Sequence, residues 1–538
     1  MKQMPTPRND IGKRKRKSST GKYISIIKGF CAVCFCTTLF CHVYAWMLVH
    51  HQHVGDIGQL LSNGQFTSGL TTRSKQGNAL LAKSPTSSNG VTSRSSEAVA
   101  TAVKVTAVKA TAVTAGSNRW QVVSVTDYGA IGDNITDNSH AFQAAFRAIA
   151  DSGGEVIVPS GGVFQTTPFN MTSNSVLTVQ KYATIRGVAD QHKFPILPAL
   201  YSYGRDTDMS GLYRRQSLIH AHHVHNITLR GEGIVDGAGW YWYPFFHNFT
   251  AAYNIGRPHL VEFNNCTDIE ITQITLKDPA FWTLHPVYCT NVYIHHMRIE
   301  APSCRNYGCA NTDGIDIDSS QNVLVEYNTL NVGDDHVTVL AGKRRNIYIP
   351  PSRNVTVQHN TLGSGMGLCI GSSTAGGVED VLYYNNTMRA ETHTFGAGVH
   401  IKLRERFGGY VRNIRWIDNT FYVAGKPGGA IVIEGGYQSG GAWKKQCTNL
   451  TGFMPCPEVR DILIRNLTVH HGNPGRLNCY AGVPCENITL EHVYYPNDAK
   501  AKISCQNVHS GRQNDTYPEH LLDPETCLAF YDKDLSLS

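Results

Sequence analysis

Residues 268–271 read DIEI, and NVYI at 291–294 and NVLV at 322–325 repeat the pattern of Asn or Asp followed by alternating apolar residues. Apolar residues at every second position indicate β-strands. Asn and Asp suit the turn before each strand, because they tolerate left-handed backbone and bond to their own main chain. Further copies of this pattern begin at residues 226, 354, 380, 413, 461 and 487.

Many of these copies return after about 23–33 residues, a period typical of solenoids. No long amphipathic helix pattern interrupts the series. The sequence therefore predicts an all-β domain over residues 119–538, folded as a right-handed parallel β-helix. A β-sandwich is the alternative, but it would favour hairpin signals such as Asn-Gly turns, which are scarce between the copies.

The positive charge of the chain lies at its N-terminus. The formal net charge is +7, yet residues 1–28 alone hold nine Lys or Arg side chains and one Asp. A nucleic-acid-binding surface would place that charge on the folded domain. We therefore interpret residues 1–28 as a basic cytoplasmic tail and exclude nucleic acid as a partner.

Residues 29–49, GFCAVCFCTTLFCHVYAWMLV, contain no Lys, Arg, Asp or Glu. Their length suits a hydrocarbon core of about 30 Å, and the basic residues before them place the N-terminus in the cytoplasm. This predicts a transmembrane signal anchor and a single-pass type II membrane protein. Its main domain would be lumenal or extracellular, in the endomembrane system, such as the Golgi, or at the cell surface. A cleaved signal peptide is the alternative, but the apolar run is long and no small-x-small site follows directly.

Residues 50–118 are rich in Ser, Thr and Ala, and we expect a disordered stalk there. Eleven cysteines follow the anchor. Proximity suggests four disulfides in an oxidising compartment, with Cys369 left as a buried thiol. The pairs are Cys304/Cys309, Cys447/Cys456, Cys479/Cys485 and Cys505/Cys527. Asn-x-Thr sequons could be glycosylated at exposed copies. They include Asn134, Asn170, Asn226, Asn248, Asn354, Asn466, Asn487 and Asn514.

Three segments carry the candidate chemistry: NTDGIDID at 311–318, GDDH at 333–336 and HIK at 400–402. Asp313 and Asp334 are about one coil apart, and stacked coils lie about 4.8 Å apart. We expect the fold to bring Asp313 beside Asp334 and Asp335. Crowded carboxylates repel, which raises the pKa of at least one. A protonated acid beside ionised bases is what a glycosidase requires.

Each motif alone is a common turn sequence, and clustered aspartates could also bind calcium. Their order and their spacing of one coil favour a catalytic site instead. Lys402, about two coils further along, could bind an anionic sugar.

Together with these motifs, further segments resemble the polygalacturonase family, glycoside hydrolase family 28, over residues 120–500. They are VTDYGAIGDNITDNSHAFQAAF at 125, LPALYSYGRD at 197, GIVDGAGWYWY at 233, FWTLHPVYC at 281 and GSSTAGGVEDV at 371. Several are similar to the plant and exo-acting branch. The resemblance implies a pectin-lyase-like right-handed β-helix that hydrolyses galacturonan or pectin-type polysaccharide with inversion, without metal or cofactor. We expect a monomer that acts at the ends of an acidic polysaccharide or oligosaccharide.

The resemblance also assigns roles to residues. Asp334 matches the general acid, and Asp313 and Asp335 match the carboxylates that activate water. Lys402 matches the lysine that contacts the uronate carboxylate, and Tyr437 matches a tyrosine that lines the adjacent subsite. Asn311, which opens the first motif, is assigned to substrate binding.

Two positions depart from the family pattern and are also expected to line the substrate site. Met366 stands where the family has a histidine, and His400 stands where it has an arginine. Replacing arginine by histidine removes a permanent, bidentate carboxylate binder. The departures favour one alternative, a catalytically impaired, glycan-binding β-helix. A polysaccharide lyase with a calcium cluster is a second alternative, since lyases also use parallel β-helices.

Overall fold

The computed structural model describes residues 119–203, 213–244, 256–303, 310–344, 347–389, 396–422, 429–437 and 456–530. Two helices lie in this part of the chain, α1 (Ser139–Ala148) and the single turn α2 (Gly239–Trp242). Three short 3-10 turns accompany them. Those turns are Val125–Tyr128, Gln191–Lys193 and Leu528–Phe530.

Most described strands belong to two large parallel sheets. Sheet A has 22 strands. They are Gln121–Ser124, Gly154–Val158, Val163–Thr166, Ser175–Val179, Thr184–Gly187, His225–Arg230, Ile234–Asp236, Thr267–Thr272, Thr275–Lys277, Thr290–His295, Arg298–Glu300, Gln321–Glu326, Thr329–Asn331, Ser352–Gln358, Thr361–Leu362, Val378–Tyr384, Thr387–Met388, Tyr410–Ile417, Thr420–Phe421, Glu458–Val469, Glu486–Tyr494 and Gly511–Tyr517.

Sheet B has 11 strands. They are Phe169–Asn170, Ile219–His222, Val261–Asn264, Leu284–Val287, Ile315–Asp318, Val337–Leu340, Leu368–Ile370, Val399–Leu403, Ile431–Gly435, Gly475–Asn478 and Ile503–Gln506. A separate antiparallel pair joins Ile196–Pro198 to Tyr213–Arg215. In most coils two successive strands belong to sheet A and the next one belongs to sheet B, and each strand pairs with its counterpart in the neighbouring coil. This is the predicted parallel β-helix, and the β-sandwich alternative is wrong.

The Asn and Asp residues near the beginning of the sheet A strands explain the repeated sequence pattern. Asn291, Asn322 and Asn354 have φ angles of 59°, 55° and 54°, in the left-handed region that Asn tolerates. Their side chains form a ladder: Asn322 donates to Asn291 at 3.1 Å, and Asn354 donates to Asn322 at 2.8 Å. The pattern is therefore both a turn signal and a contact between coils.

Alternation along sheet B divides its side chains between the core and the outer face. Val337 and Val339 are fully buried in the apolar core, whereas Thr338 between them points to the opposite face. In-register pairing of Thr338 with Cys369, and of Cys369 with His400, continues that outward position from coil to coil. Polar residues separated by one or more coils therefore line up in columns on the outer face.

Two of the four predicted disulfides are confirmed, Cys479–Cys485 and Cys505–Cys527. Cys456 is also disulfide-bonded, but its predicted partner Cys447 lies outside the described residues, as does the pair Cys304/Cys309. The prediction that Cys369 is a buried free thiol is confirmed.

Within the described ranges, neither helix has the length and apolar composition needed to cross a membrane. The predicted tail (1–28), anchor (29–49) and stalk (50–118) all lie outside those ranges.

Candidate active site

The three predicted carboxylates lie together at the beginning of two neighbouring strands of sheet B. Asp313 precedes the strand Ile315–Asp318, and Asp334 and Asp335 precede Val337–Leu340. These strands are adjacent and in register. As a result, carboxylate oxygens of the three residues lie within 4.8 Å of one another. The predicted spacing of one coil is confirmed.

Main-chain groups fix the orientation of Asp334. Its Oδ2 accepts a hydrogen bond from the backbone N–H of Asn311 at 2.9 Å, and its Oδ1 accepts one from the N–H of Asp335 at 3.1 Å. Asn311 itself has a φ of 62°. Arg257 donates to the carbonyl of Ala310, the residue before Asn311, at 2.8 Å. Asn311, predicted to bind substrate, thus contributes its main chain to positioning Asp334.

Burial and mutual repulsion shift the pKa values of two of these carboxyl groups upward. Burial raises the pKa of Asp334 to about 6, and the charge of Asp335 adds to this effect. Burial, followed by repulsion from Asp334, raises the pKa of Asp313 well above its usual value. The cluster therefore keeps protons at mildly acidic pH, which gives Asp334 a proton that it can donate.

Lys402 extends from two coils further along and contacts the carboxylate of Asp335. Burial opposes the charge of its ammonium group, but the surrounding acidic groups, Asp335 foremost, together outweigh burial and raise the pKa of Lys402 well above its usual value. The buried thiol of Cys369 donates to the other oxygen of Asp335 at 3.2 Å. Lys402 and Cys369 together position Asp335 at the floor of the site.

The other predicted substrate residues lie beside this cluster. The imidazole of His400 lies 3.5 Å from the carboxylate of Glu434, and its ring centroid is 5.9 Å from that of Tyr437. The Tyr437 ring centroid is 5.5 Å from the Lys402 nitrogen. Burial lowers the pKa of His400, so its imidazole becomes protonated at a lower pH than that of an exposed histidine. Met366 donates its N–H to the carbonyl of Asp334 at 2.8 Å.

Sequence reasoning gave no role to Asp316, which lies in the same motif as Asp313. Asp316 is completely buried on the outer face of sheet B, and neither of its carboxylate oxygens has a hydrogen-bond partner among the described residues. Burial raises its pKa well above the usual value. The signal was present in NTDGIDID, because a second acidic residue alternates with apolar strand positions there.

A second buried network lies on the outer face of sheet B, on the N-terminal side of the aspartates. Glu262 accepts from Arg214 at 2.6 Å, and His285 bridges Glu262 at 3.3 Å to Asp318 at 3.5 Å. The hydroxyl of Tyr203 donates to Asp318. Burial opposes protonation of His285, but Asp318 and Glu262 raise its pKa to about 9. Tyr203, His285 and Asp318 lie in segments quoted above, but the sequence did not predict their contacts, because these segments come from separate coils and an insertion.

Two groups in the described part of the chain have donor atoms close enough to hold a metal ion: the three catalytic candidates, and His259 with Glu262 and His285. Each group already includes a contact with a cationic side chain. Arg214 lies 2.6 Å from Glu262, and Lys402 contacts Asp335. A divalent ion would have to displace or repel these cations, so both groups fit a metal poorly.

The comparisons with known proteins agree with this geometry. The family model for glycosyl hydrolases family 28 matches residues 155–514. A probable polygalacturonase of Vitis vinifera is 32% identical over 313 residues, which is 56% of this chain and 61% of that protein. A polygalacturonase of Malus domestica is 26% identical over 397 residues, covering 72% of this chain and 76% of that protein.

Solved structures show the same architecture. An exopolygalacturonase of Thermotoga maritima aligns with a TM-score of 0.59 and 24% identity, covering 74% of this chain and 92% of that one. A family 28 exopolygalacturonase of Yersinia enterocolitica gives a TM-score of 0.61 and 21% identity, with coverages of 74% and 75%. The fold thus matches the right-handed β-helix of these enzymes.

This chain belongs to glycosyl hydrolases family 28, and it is therefore a glycosidase.

Proposed function

We propose that this protein hydrolyses galacturonan or a related pectin-type polysaccharide by inverting acid–base catalysis, and that it acts at chain ends. The observation that supports this most directly is the cluster of Asp313, Asp334 and Asp335 on adjacent coils, with the pKa of Asp334 raised to about 6. Family membership and the polygalacturonase relatives supply the substrate class.

In the proposed reaction Asp334 donates its proton to the glycosidic oxygen as the bond to the leaving sugar breaks. A water molecule attacks the anomeric carbon from the other face and loses its proton to a carboxylate. Of the two remaining carboxyl groups, Asp335 is a better candidate for this base than Asp313, because Lys402 contacts Asp335 and compensates its negative charge. Asp313 orients the water, since its own raised pKa favours the protonated form.

Inversion rests on the family resemblance and not on the carboxylate spacing. Acid and base in inverting glycosidases generally lie about 6.5–9.5 Å apart. The nearest oxygens here lie within 4.8 Å. Proton NMR during hydrolysis decides the point: the first product detected should carry the anomer opposite to that of the substrate linkage, and the same anomer would contradict inversion.

Action at chain ends is supported by the unequal burial of the outer face of sheet B. On the N-terminal side His285, Asp316 and Asp318 are buried, and Tyr203 from an inserted segment contacts Asp318. On the C-terminal side the side chain of Glu434 is 26% exposed. Because the outer face is covered on the N-terminal side and open on the C-terminal side, a polysaccharide can enter the site only with its end. Monosaccharide or disaccharide should therefore appear first, and early release of mixed long fragments would refute this mode.

The test of the whole proposal compares the wild-type protein with Asp334→Asn on polygalacturonate, rhamnogalacturonan and xylogalacturonan. Wild type should release reducing ends from at least one of them, and Asp334→Asn should be slower by about 10²–10⁴-fold, the usual contribution of a general acid. Equal inactivity of both proteins would favour the glycan-binding alternative, which Met366 and His400 support. Unsaturated products lost with EDTA would favour the lyase.

We also propose that residues 29–49 anchor the protein in a membrane as a type II protein, with the glycosidase domain lumenal or extracellular. The support is the uncharged stretch and the basic residues before it. A tag at the N-terminus should be digested by protease in intact, sealed cytoplasmic-side-out vesicles. Protection until detergent is added would contradict this orientation.

A further inference from the structure

The outer face of sheet B continues beyond His400 as a column of in-register residues. His400 pairs with Val432, and Val432 pairs with Arg476. Because coils stack at about 4.8 Å, Arg476 lies about 10 Å further along the site than His400. Its neighbour Leu477 is fully buried in the core, so Arg476 points to the outer face, where Asp335 and Lys402 also lie.

Arg476 is linked to His400 through one carboxylate. A single oxygen of Glu434 lies 3.1 Å from the Arg476 guanidinium and 3.5 Å from the His400 imidazole. The Arg476 side chain nevertheless keeps 30% of its surface exposed. A guanidinium has five N–H donors in a planar fork, so it can bind a second carboxylate while Glu434 holds it.

The basic side chains along this face differ in their burial and in the permanence of their charge. On the C-terminal side of the aspartates, the described strands of sheet B present two permanent cations outward, Lys402 and Arg476. Lys402 is buried and contacts Asp335. Burial lowers the pKa of His400, so its imidazole is charged only at lower pH than an exposed histidine and is not a permanent cation. Among the described strands of sheet B on this side, Arg476 is therefore the exposed permanent cation.

We propose that Arg476 is a specificity-determining residue, which binds the carboxylate of a uronate one sugar beyond the leaving unit. This rests on the proposed function. Glu434 positions the guanidinium, and the subsite supplies charge that His400 does not. The guanidinium of Arg476 reaches back to the Glu434 oxygen that also lies beside His400. It is therefore about one coil from His400, which suits the next sugar on the leaving side.

The test is a kinetic comparison of wild type, Arg476→Ala and Arg476→Lys on galacturonate oligomers of increasing length. On the shortest oligomer cleaved, Arg476→Ala should match wild type. On the next longer ones its kcat/KM should fall at least tenfold, mainly through a higher KM. Arg476→Lys should fall between the two, because it keeps the charge and loses the fork. Arg460→Ala serves as the matched control, since Arg460 lies in sheet A, paired with Asp461.

Oligomers that are methyl-esterified only on the sugar facing Arg476 provide a second arm, because full esterification would also remove the carboxylate that Lys402 is expected to contact. Esterification should reduce wild-type kcat/KM to the level of Arg476→Ala and leave Arg476→Ala unchanged. An equal loss on all lengths, or no loss, would overturn the role of Arg476 while leaving the hydrolase proposal intact. Wild-type inactivity on every acidic glycan would instead refute the proposed function itself.

Discussion

The ammonium group of Lys402 contacts the carboxylate of Asp335 although 67 residues separate them in sequence. In-register stacking of the strands Val337–Leu340, Leu368–Ile370 and Val399–Leu403 brings them together. Both side chains are buried, so each is the main compensation for the charge of the other. The pair is therefore as important for stability as for the proposed reaction.

Lys402→Met should destabilise the protein by about 3–5 kcal/mol, the usual effect of leaving one buried charge without its partner. The double variant Lys402→Met/Asp335→Asn should recover most of this loss, because it buries no unpaired charge. Urea unfolding measures both. Lys181→Met is the control: its pair with Glu232 is mostly exposed, and such pairs contribute about 1 kcal/mol or less. Equal destabilisation by the single and double variants would show that the two charges are not coupled.

The pH dependence of hydrolysis should follow Asp334. A general acid must hold its proton, and burial raises the pKa of Asp334 to about 6. The rate should therefore fall as pH rises through about 6, roughly tenfold for each further pH unit. Initial rates measured from pH 4 to pH 8 in buffers of constant ionic strength provide the profile. A rate that stays constant up to pH 8 would contradict the assignment of the proton to Asp334.

Returning the family's arginine at position 400 should strengthen uronate binding. Neutral His400 offers a hydrogen bond, whereas arginine offers a permanent charge and two parallel donors. Glu434, 3.5 Å from His400, is available to hold the new guanidinium. His400→Arg should lower the KM for polygalacturonate about tenfold, with kcat changed much less. His400→Gln, which keeps only hydrogen bonding, is the control. No gain in affinity would indicate that the site serves a sugar without a carboxylate at this position.

The fold was predictable because its signals are local and repeated. Asn322 and Asn354 each carry a turn preference and a ladder contact, and the same pattern recurs along the domain. The aspartates were predictable for a related reason: Asp313 and Asp334 lie one coil apart, so the repeat length itself places them together. The same stacking places Lys402 and Asp335 on one face of the sheet. The repeat length alone does not predict that their side chains touch.

Contacts made by inserted or distant segments could not be predicted in this way. Glu262 depends on Arg214, which comes from the antiparallel pair outside the β-helix, and Asp318 depends on Tyr203. Arg476 and Glu434 lie on neighbouring strands of sheet B that are further apart in sequence than most neighbouring coils. Such contacts have no fixed sequence period, so only the folded chain reveals them.

The charge of His285 compensates two buried carboxylates, those of Glu262 and Asp318, so the stability of the protein should depend on the protonation of His285. Asp318 and Glu262 raise the pKa of His285 from 6.5 in the unfolded chain to about 9 in the fold, in spite of its burial. Its stabilising contribution is therefore complete below pH 6.5, and it is lost as pH rises through about 9. His285→Gln should be less stable than wild type by about 2–4 kcal/mol at pH 6, and the gap should narrow by pH 9.5. Thermal unfolding at the two pH values measures this, with the exposed His509→Gln as control. A gap that stays constant with pH would show that His285 stabilises the network by its shape and hydrogen bonds alone.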